Sequence, residues 1–335
     1  MTEGKEKKSR TGAIFEKGKI FFCLCLATVL GISLCGCGGR AENRKPYVAI
    51  ITKSTTSTFW KTVFAGASAA ATEYNLDITF TGPEKEEDYA LQNQMVRDAM
   101  NNGAEVIVFS AVDYNANADV INEAAQRGVK VVIIDSDVNS DMVSCRIGTD
   151  NVEAGRQAAQ AALAAQEDEL YVGIVNYDVN SANGQQREQG FREIMEEEER
   201  VKEITTINVV STTEDARVGT RELISENPRI NVIVTFNEWT SLGVGWAIRD
   251  LECSDSIHVV AFDSNVVSVG MLETGEVDAL IVQNPYAMGY LGVEAASMLA
   301  SGNNVPETIV NTAAFIVTRD NMFEQEYQKI LFFFD

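Results

Sequence analysis

The most constraining feature of this sequence is a repeated alternation of short apolar segments with longer segments of helical periodicity. The apolar segments, rich in Val and Ile, span residues 47–51, 76–80, 105–109, 130–134 and 144–147, then 170–175, 203–210, 231–235, 257–261 and 279–282. Nearly continuous apolar runs are typical of strands that are buried on both faces of a parallel sheet. The pattern therefore predicts an α/β fold, doubly wound, with enough strands for two sheets.

Two lobes of comparable size are expected. A length of 335 residues suits two domains. The first series of strands is interrupted at residues 148–151, where no Pro- or Ser-rich linker occurs. A boundary without a flexible linker predicts lobes that are joined by crossing segments and move about a hinge.

The N-terminus is typical of an export signal. Basic residues dominate residues 1–19, and an apolar stretch follows at 20–34, too short for a comfortable membrane span. It ends in Leu34-Cys35-Gly36-Cys37, which resembles a bacterial lipobox. We therefore predict a lipoprotein signal peptide over 1–36, lipidation of Cys37 and a polar tether over 37–45. The alternative is an ordinary signal peptide with incidental cysteines.

Composition excludes several classes of function. The chain has 49 acidic and 27 basic residues, a net charge of -22, whereas non-specific nucleic-acid binding needs a basic face. With His258 as its one histidine, it can form no His-rich metal site, and neither a metal nor a cofactor is expected. Only Cys145 and Cys253 follow Cys37, which is too few for a disulfide framework. The predicted lobe boundary at residues 148–151 places these two cysteines in different lobes, so both are predicted to be free thiols.

The residues that follow the predicted strands indicate a ligand site. In open α/β sheets, ligands bind outside the carboxyl ends of the strands. The residues at these ends are all hydrogen-bonding: Ser110, Asp135, Asn176, Asn237, Asp263 and Gln283. Carboxylates and amides suit sugar hydroxyls, and the neighbours Phe59 and Trp60 offer flat apolar faces for a sugar ring. No Gly-rich phosphate loop is present, which disfavours anionic ligands.

The order of these motifs resembles the periplasmic sugar-binding proteins of the ribose/galactose type, with the periplasmic binding protein-like I fold, from Pro46 to about Arg319. The motifs are Ser57-Thr58-Phe59-Trp60, Val131-Val132-Ile133-Ile134-Asp135, Gly148-Thr149-Asp150-Asn151 with Ala154-Gly155, Arg187-Glu188-Gln189-Gly190-Phe191, Phe236-Asn237-Glu238, Val260-Ala261-Phe262-Asp263, and Ile281-Val282-Gln283-Asn284-Pro285. Each motif alone is weak, but seven in order are specific.

The resemblance implies roles for individual residues. Phe59 and Trp60 would flank the sugar ring. The hydrogen-bonding residues would be Asp135, Arg187, Asn237, Asp263 and Gln283, with Ser57 and Ser110 at positions where ribose-type proteins have other polar groups. Ser136 replaces an arginine of ribose binders, a departure that argues against ribose itself.

The resemblance also implies lobe boundaries: residues 46–149 plus 284–312, and 150–283 plus 313–335, with crossings near Thr149, Gln283 and Thr312.

Structural roles compete with these functional ones. Asp135 could be a turn residue, and Asn237 and Asp263 could cap helices. Arg187 could be a solvated charge beside Glu188 and Arg192, Trp60 could be a core residue, and Gln283 could serve the hinge.

By this resemblance the chain is expected to be a monomeric lipoprotein at the outer face of the cytoplasmic membrane. It would bind a monosaccharide and deliver it to the membrane subunits of an ABC importer. The alternative is a subunit that presents its closed form to a sensor kinase or chemoreceptor. A sugar-responsive repressor is excluded, because an export signal occupies the place of a DNA-binding domain. An enzyme that uses Asp135 and Asp263 as a carboxylate pair is not expected.

Overall fold

The computed structural model describes residues 44–332, so Cys37, the predicted signal peptide and most of the predicted tether lie outside the described residues. The strands of the described part are β1 (Tyr47–Ile51), β2 (Asp77–Thr81), β3 (Val106–Phe109), β4 (Lys130–Ile134), β5 (Cys145–Thr149), β6 (Leu170–Asn176), β7 (Val201–Asn208), β8 (Val232–Thr235), β9 (His258–Phe262), β10 (Ala279–Val282), β11 (Ile309–Thr312) and β12 (Phe315–Thr318). Its helices are α1 (Thr58–Glu73), α2 (Tyr89–Asn101), α3 (Ala118–Gln126), α4 (Asn151–Ala162), α5 (Ala182–Met195), α6 (Thr213–Glu226), α7 (Glu238–Leu251), α8 (Val266–Thr274), α9 (Pro285–Ala300) and α10 (Gln325–Leu331).

The strands form two six-stranded sheets with corresponding strand orders. The first sheet has the order β11-β5-β4-β3-β1-β2 and the second β12-β10-β9-β8-β6-β7. Neighbouring strands are parallel, except that β12 runs antiparallel to β10. The predicted fold class, α/β with two parallel-sheet lobes, is confirmed. The edge strands β11 and β12 were not among the predicted strands.

The chain crosses between the sheets through helices. Helix α4 follows β5 of the first sheet, yet it packs against α5 and against β8, β9 and β10 of the second sheet. Helix α9 follows β10 of the second sheet, yet it packs against α1 and against β3, β4 and β5 of the first. Each sheet is therefore covered in part by a helix that comes directly from the other.

Both of these helix pairs depend on close backbone contact. A Cβ atom at Gly155 of α4 would lie 2.1 Å from the carbonyl oxygen of Arg187 on α5, and one at Gly289 of α9 would lie 1.9 Å from that of Val63 on α1. No side chain fits at such a distance, so glycine is required at both positions. The contact between α4 and α5 also fixes the backbone of Arg187.

The buried positions of the strands in both sheets are occupied mainly by aliphatic residues, as the sequence predicts. Strand residues such as Val48, Ile50 and Val108 in the first sheet, and Val172 and Ile174 in the second, are fully or almost fully buried.

In residues 44–332, no helix has both the length and the apolar character that crossing a membrane requires.

Candidate ligand-binding site

A cavity lies between the two sheets, at the carboxyl ends of their strands. Its empty volume, counted with the space that opens to solvent, is about 320 Å³. Eight of the nine predicted site residues line it: Ser57, Phe59, Trp60, Asp135, Arg187, Asn237, Asp263 and Gln283.

Arg187 of α5 is the most completely buried charged group of the site, with 1% of its surface exposed. Its guanidinium donates from Nε to Asn151 Oδ1 (2.9 Å), from Nη1 to the carbonyl oxygen of Phe236 (2.6 Å) and from Nη2 to Gln283 Oε1 (2.8 Å). These bonds to three segments fix the planar group and leave two of its five N–H donors for other partners. The structure thus excludes the alternative of a solvated surface charge.

Asp135 and Asp263 occupy corresponding places in the two sheets. Each follows the fourth strand of its sheet in chain order, and each has a left-handed backbone, with φ of 57° and 67°. The backbone N–H of Asp135 donates to Ile147 O (3.1 Å), and that of Asp263 donates to Ile281 O (2.9 Å). Aspartate tolerates this conformation better than most residues, and such strain clusters at functional sites. The shared backbone turns both carboxylates into the cavity.

The two carboxylates differ in their partners. Asp135 accepts from Asn183 Nδ2 at 3.2 Å and from the Ser110 hydroxyl at 3.1 Å, and it lies 3.9 Å from Arg187 Nη2. Ser110 is thus the one predicted residue that does not line the cavity, since it is fully buried behind Asp135.

Asp263 is less well compensated than Asp135. It accepts from Gln283 Nε2 at 2.7 Å. Burial raises the pKa of Asp263 to about 7; Arg187 and the bond from Gln283 lower it, while Glu238 and Asp135 raise it further. A hydroxyl donor from a ligand would supply a partner that this buried carboxyl group lacks.

Phe59 and Trp60, in the first turn of α1, form one side of the cavity, here called the aromatic wall. Ser57 caps this helix by accepting from the Trp60 N–H at 3.2 Å. The rings of Phe59 and Trp60 meet edge to face, with centroids 4.9 Å apart, and Trp60 Nε1 donates to Glu86 Oε1 at 3.1 Å. Trp60 also belongs to the core of the first sheet. Core packing and cavity lining are therefore two roles of one side chain.

The capping hypotheses have different outcomes. Asn237 caps α7 in a capping box with Thr240, and its Nδ2 also donates to Ser211 Oγ at 2.8 Å. Asp263 caps no helix, because Asn265 caps α8. Gln283 joins the crossing segments, accepting from Thr149 Oγ1 at 2.8 Å while donating to Asp263.

Six further lining residues are not among the nine predicted site residues: Lys53, Glu86, Tyr177, Asn183, Glu238 and Trp239. Lys53 is only 3% exposed, donates from Nζ to Ser181 Oγ at 2.9 Å and lies 3.7 Å from Glu86 Oε2. Its position two residues after β1 is a signal that could have identified it. Asn183 lies one helical turn before Arg187, which would have placed both on one face of α5.

Free cysteines and the absence of a metal cluster complete the chemistry of the described part. Cys145 and Cys253 are free thiols, as predicted. Within residues 44–332, no group of three or more His, Cys, Asp or Glu is placed to hold a metal ion.

Comparison with known proteins agrees with this architecture. The family model described as periplasmic binding protein domain matches residues 48–304. A D-ribose/D-allose-binding protein of Pseudomonas aeruginosa is 24% identical over 285 residues, which are 82% of this chain and 89% of that protein. A ribose import binding protein of Bacillus subtilis is 24% identical over 278 residues, 81% of this chain and 87% of that protein.

Solved structures show the same relationship. A carbohydrate transporter solute binding protein from Agrobacterium radiobacter, in complex with D-arabinose, matches with a TM-score of 0.83 and 29% identity, over 86% of this chain and 99% of that one. An ABC transporter solute binding protein from Agrobacterium vitis with bound D-fucose matches with a TM-score of 0.82 and 28% identity, over 85% and 99%. These relatives are solute-binding proteins and not enzymes. The resemblance found in the sequence is thereby confirmed, and the chain belongs to the periplasmic binding protein domain family.

Proposed function

We propose that this protein binds one neutral monosaccharide in the cavity between its two sheets and delivers it to an ABC importer. The observation that carries the proposal is the convergence of Arg187, Asp135 and Asp263 on a cavity with an aromatic wall. Buried carboxylates accept from hydroxyls, a fixed guanidinium donates to them, and aromatic rings cover apolar C–H faces. The names of the relatives, which bind ribose, allose, arabinose or fucose, support a sugar of this size.

The proposed contacts follow from the free hydrogen-bonding capacity of each group. Asp263 and Asp135 accept from hydroxyls, Arg187 donates with its remaining N–H groups, and Asn237 adds an amide contact. Phe59 and Trp60 flank the ring. Ser57 and Gln283 border the same cavity, whereas Ser110 acts through Asp135, to which it donates.

Calorimetry with D-ribose, D-allose, D-arabinose and D-fucose tests the proposal. We expect one sugar to bind per chain with a dissociation constant of about 1 μM or lower, equivalent to about −8 kcal/mol. At about pH 8, above the pKa of about 7 of Asp263, Asp263→Ala should weaken binding of that sugar by at least about tenfold, since a charge-assisted hydrogen bond contributes about 1.5–3 kcal/mol. Asp255→Ala, at a solvent-exposed aspartate, is the control. Binding of an amino acid or nucleoside, and of no sugar, would show that the ligand class is wrong.

We further propose that the cavity closes by a hinge motion of two lobes, residues 46–149 plus 284–312 and residues 150–283 plus 313–335. Two helices that cross between the sheets, and the bond from Thr149 to Gln283 where the segments pass, support this division. Small-angle X-ray scattering should show a smaller radius of gyration with the bound sugar than without it. An unchanged profile would contradict the hinge.

The sequence around Cys37 supports a lipid anchor at the outer face of the cytoplasmic membrane, in the periplasm or its equivalent. Cys37→Ala should release the protein from the membrane fraction or leave it unprocessed. Cys35→Ala, two residues upstream, is the matched control and should remain processed and anchored. Equal processing together with equal membrane association of the two variants would refute lipidation at Cys37.

Deletion of the gene should abolish uptake of the radiolabelled sugar by the host. Intact uptake together with loss of a sugar-dependent transcriptional or chemotactic response would favour the sensor alternative.

A further inference from the structure

The first turn of α1 is capped from two sides of the cavity. In an α-helix the first backbone N–H groups have no acceptor within the helix. Ser57, the N-cap, accepts from the N–H of Trp60. The N–H groups of Thr58 and Phe59 donate instead to Glu238, at 3.2 Å to Oε1 and 3.0 Å to Oε2. Glu238 is the first residue of α7, which packs against the second sheet.

Glu238 is held in place from its own side of the cavity. The side-chain amide of Asn265, the N-cap of α8, donates to Glu238 Oε1 at 3.0 Å. Only 6% of the surface of Glu238 is exposed. The carboxylate is therefore oriented before it meets α1, and the partial positive charge at the start of α1 favours the contact.

We propose that Glu238 is a positioning residue that links closure of the cleft to the placement of the aromatic wall. Its bonds to α1 join the two sides of the cavity, so they form only when the cleft is closed. They end at Thr58 and Phe59, in the turn that presents Phe59 and Trp60 to the ligand. Opening the cleft breaks these bonds and removes one restraint on the first turn of α1, in which Trp60 remains bonded to Glu86. The inference rests on the proposed function and on the proposed hinge.

This contact predicts a specific kinetic effect. Bonds that exist only in the closed form slow the release of a bound sugar but have little influence on its entry into the open form. Glu238→Gln loses the charge and replaces one acceptor by a donor. Glu238→Asp keeps the charge at the start of α7 but is about 1.5 Å shorter, too short to reach α1.

The test measures sugar release by stopped-flow tryptophan fluorescence, with whichever of D-ribose, D-allose, D-arabinose and D-fucose binds the full wild-type chain most tightly. Both variants should release this sugar at least about tenfold faster, with an association rate within about twofold of wild type. Glu153→Gln is the control, because Glu153 also lies in the first turn of a helix but is 49% exposed, and its carboxylate pairs with Arg156 of the same helix. It should behave as wild type.

Small-angle X-ray scattering separates positioning from direct sugar contact. With saturating sugar, both Glu238 variants should be more expanded than wild type. Faster release from variants that scatter as wild type would overturn the proposal in favour of a direct contact, and unchanged release would overturn it outright. If no sugar binds the wild type, the proposed function fails. The linkage rests on the proposed function and fails with it in that case, whereas unchanged release from variants of a sugar-binding wild type overturns the linkage alone.

Discussion

At the scale of single residues, Arg187 links the site to the stability of the fold. Its guanidinium bonds three segments and lies 4.9 Å from the centroid of the Phe262 ring. Arg187→Ala should lower the free energy of unfolding by about 3 kcal/mol, because it leaves buried acceptors and the nearby Asp135 without their partner. Sugar binding should be lost as well. Urea unfolding and calorimetry measure the two effects.

Arg221→Ala is the matched control for this change. Arg221 is an arginine of α6 that is 53% exposed and lies 3.9 Å from Asp250. An exposed pair of this kind contributes little, so the control should unfold and bind as wild type. A wild-type free energy of unfolding for Arg187→Ala would contradict the structural role assigned to the guanidinium.

The raised pKa of Asp263 predicts that its contribution to the free energy of unfolding decreases as the pH rises, opposite to that of a carboxylate with a lowered pKa. Burial raises the pKa of Asp263 to about 7, so the folded state keeps a proton that the unfolded state loses near pH 4. Stability from this group is therefore greatest at low pH and falls as pH rises from about 4 to 7, by at most about 1.4 kcal/mol per pH unit. Asp263→Asn should remove this dependence.

The measurement is the difference in urea-unfolding free energy between wild type and Asp263→Asn at several values between pH 4.5 and 7.5. Taking the difference cancels the contributions of the other carboxyl groups, which titrate in both proteins. A difference that stays constant over this range would show that Asp263 is ionised throughout.

At the scale of secondary-structure elements, a glycine-to-alanine substitution should have opposite effects inside and outside a close helix pair. Gly289→Ala would place a methyl group against the backbone oxygen of Val63, and separation of α1 from α9 should cost about 3 kcal/mol of unfolding free energy. Gly270→Ala in α8 meets no atom within 4 Å and should instead stabilise the protein by about 0.5–1 kcal/mol. Thermal unfolding of both variants checks the contrast. Equal midpoints would argue against the close approach of α1 and α9.

The elements that the sequence predicted well are those with a clear hydrophobic pattern. The apolar runs before Asp135 and Asp263 predicted both strands and their polar ends, because a buried strand in a parallel sheet tolerates few polar residues. The edge strands β11 and β12 have four residues each, with alternating or mixed burial, and so carry little pattern. Their position depends on pairing with strands far away in the sequence.

The burial of Arg187 and Lys53 could not be predicted from local pattern. Charged neighbours such as Glu188 and Arg192 make α5 look solvated on the side of Arg187, and a lysine is rarely buried. Each charge has a partner from the other side of the cavity: Lys53 donates to Ser181, and Arg187 lies 3.9 Å from Asp135. Local sequence patterns therefore indicated the polar ends of the strands but not the charges that join the two sides of the cavity.

At the scale of the whole molecule, the crossing helices predict cooperative unfolding. Because α4 and α9 each connect to one sheet and pack on the other, neither sheet can lose its helical cover without disturbing its partner. Urea unfolding followed by far-UV circular dichroism and by tryptophan fluorescence should give coincident transitions. Trp60 reports on the first sheet, and Trp239 and Trp246 lie on α7 beside the second. Two separated transitions would show that the lobes unfold independently.

The same crossings determine when the protein can fold as it is synthesised. The first sheet begins with β1 but receives α9 and β11 only from residues 285–312, and the second sheet receives β12 later still. Until then the apolar faces of β3 and β4 that α9 covers have no partner, so neither half can complete its core on the ribosome. Nearly the whole chain must emerge before either sheet is finished. A chain built in this way stays incompletely folded until its synthesis is nearly finished, which is compatible with the export proposed above.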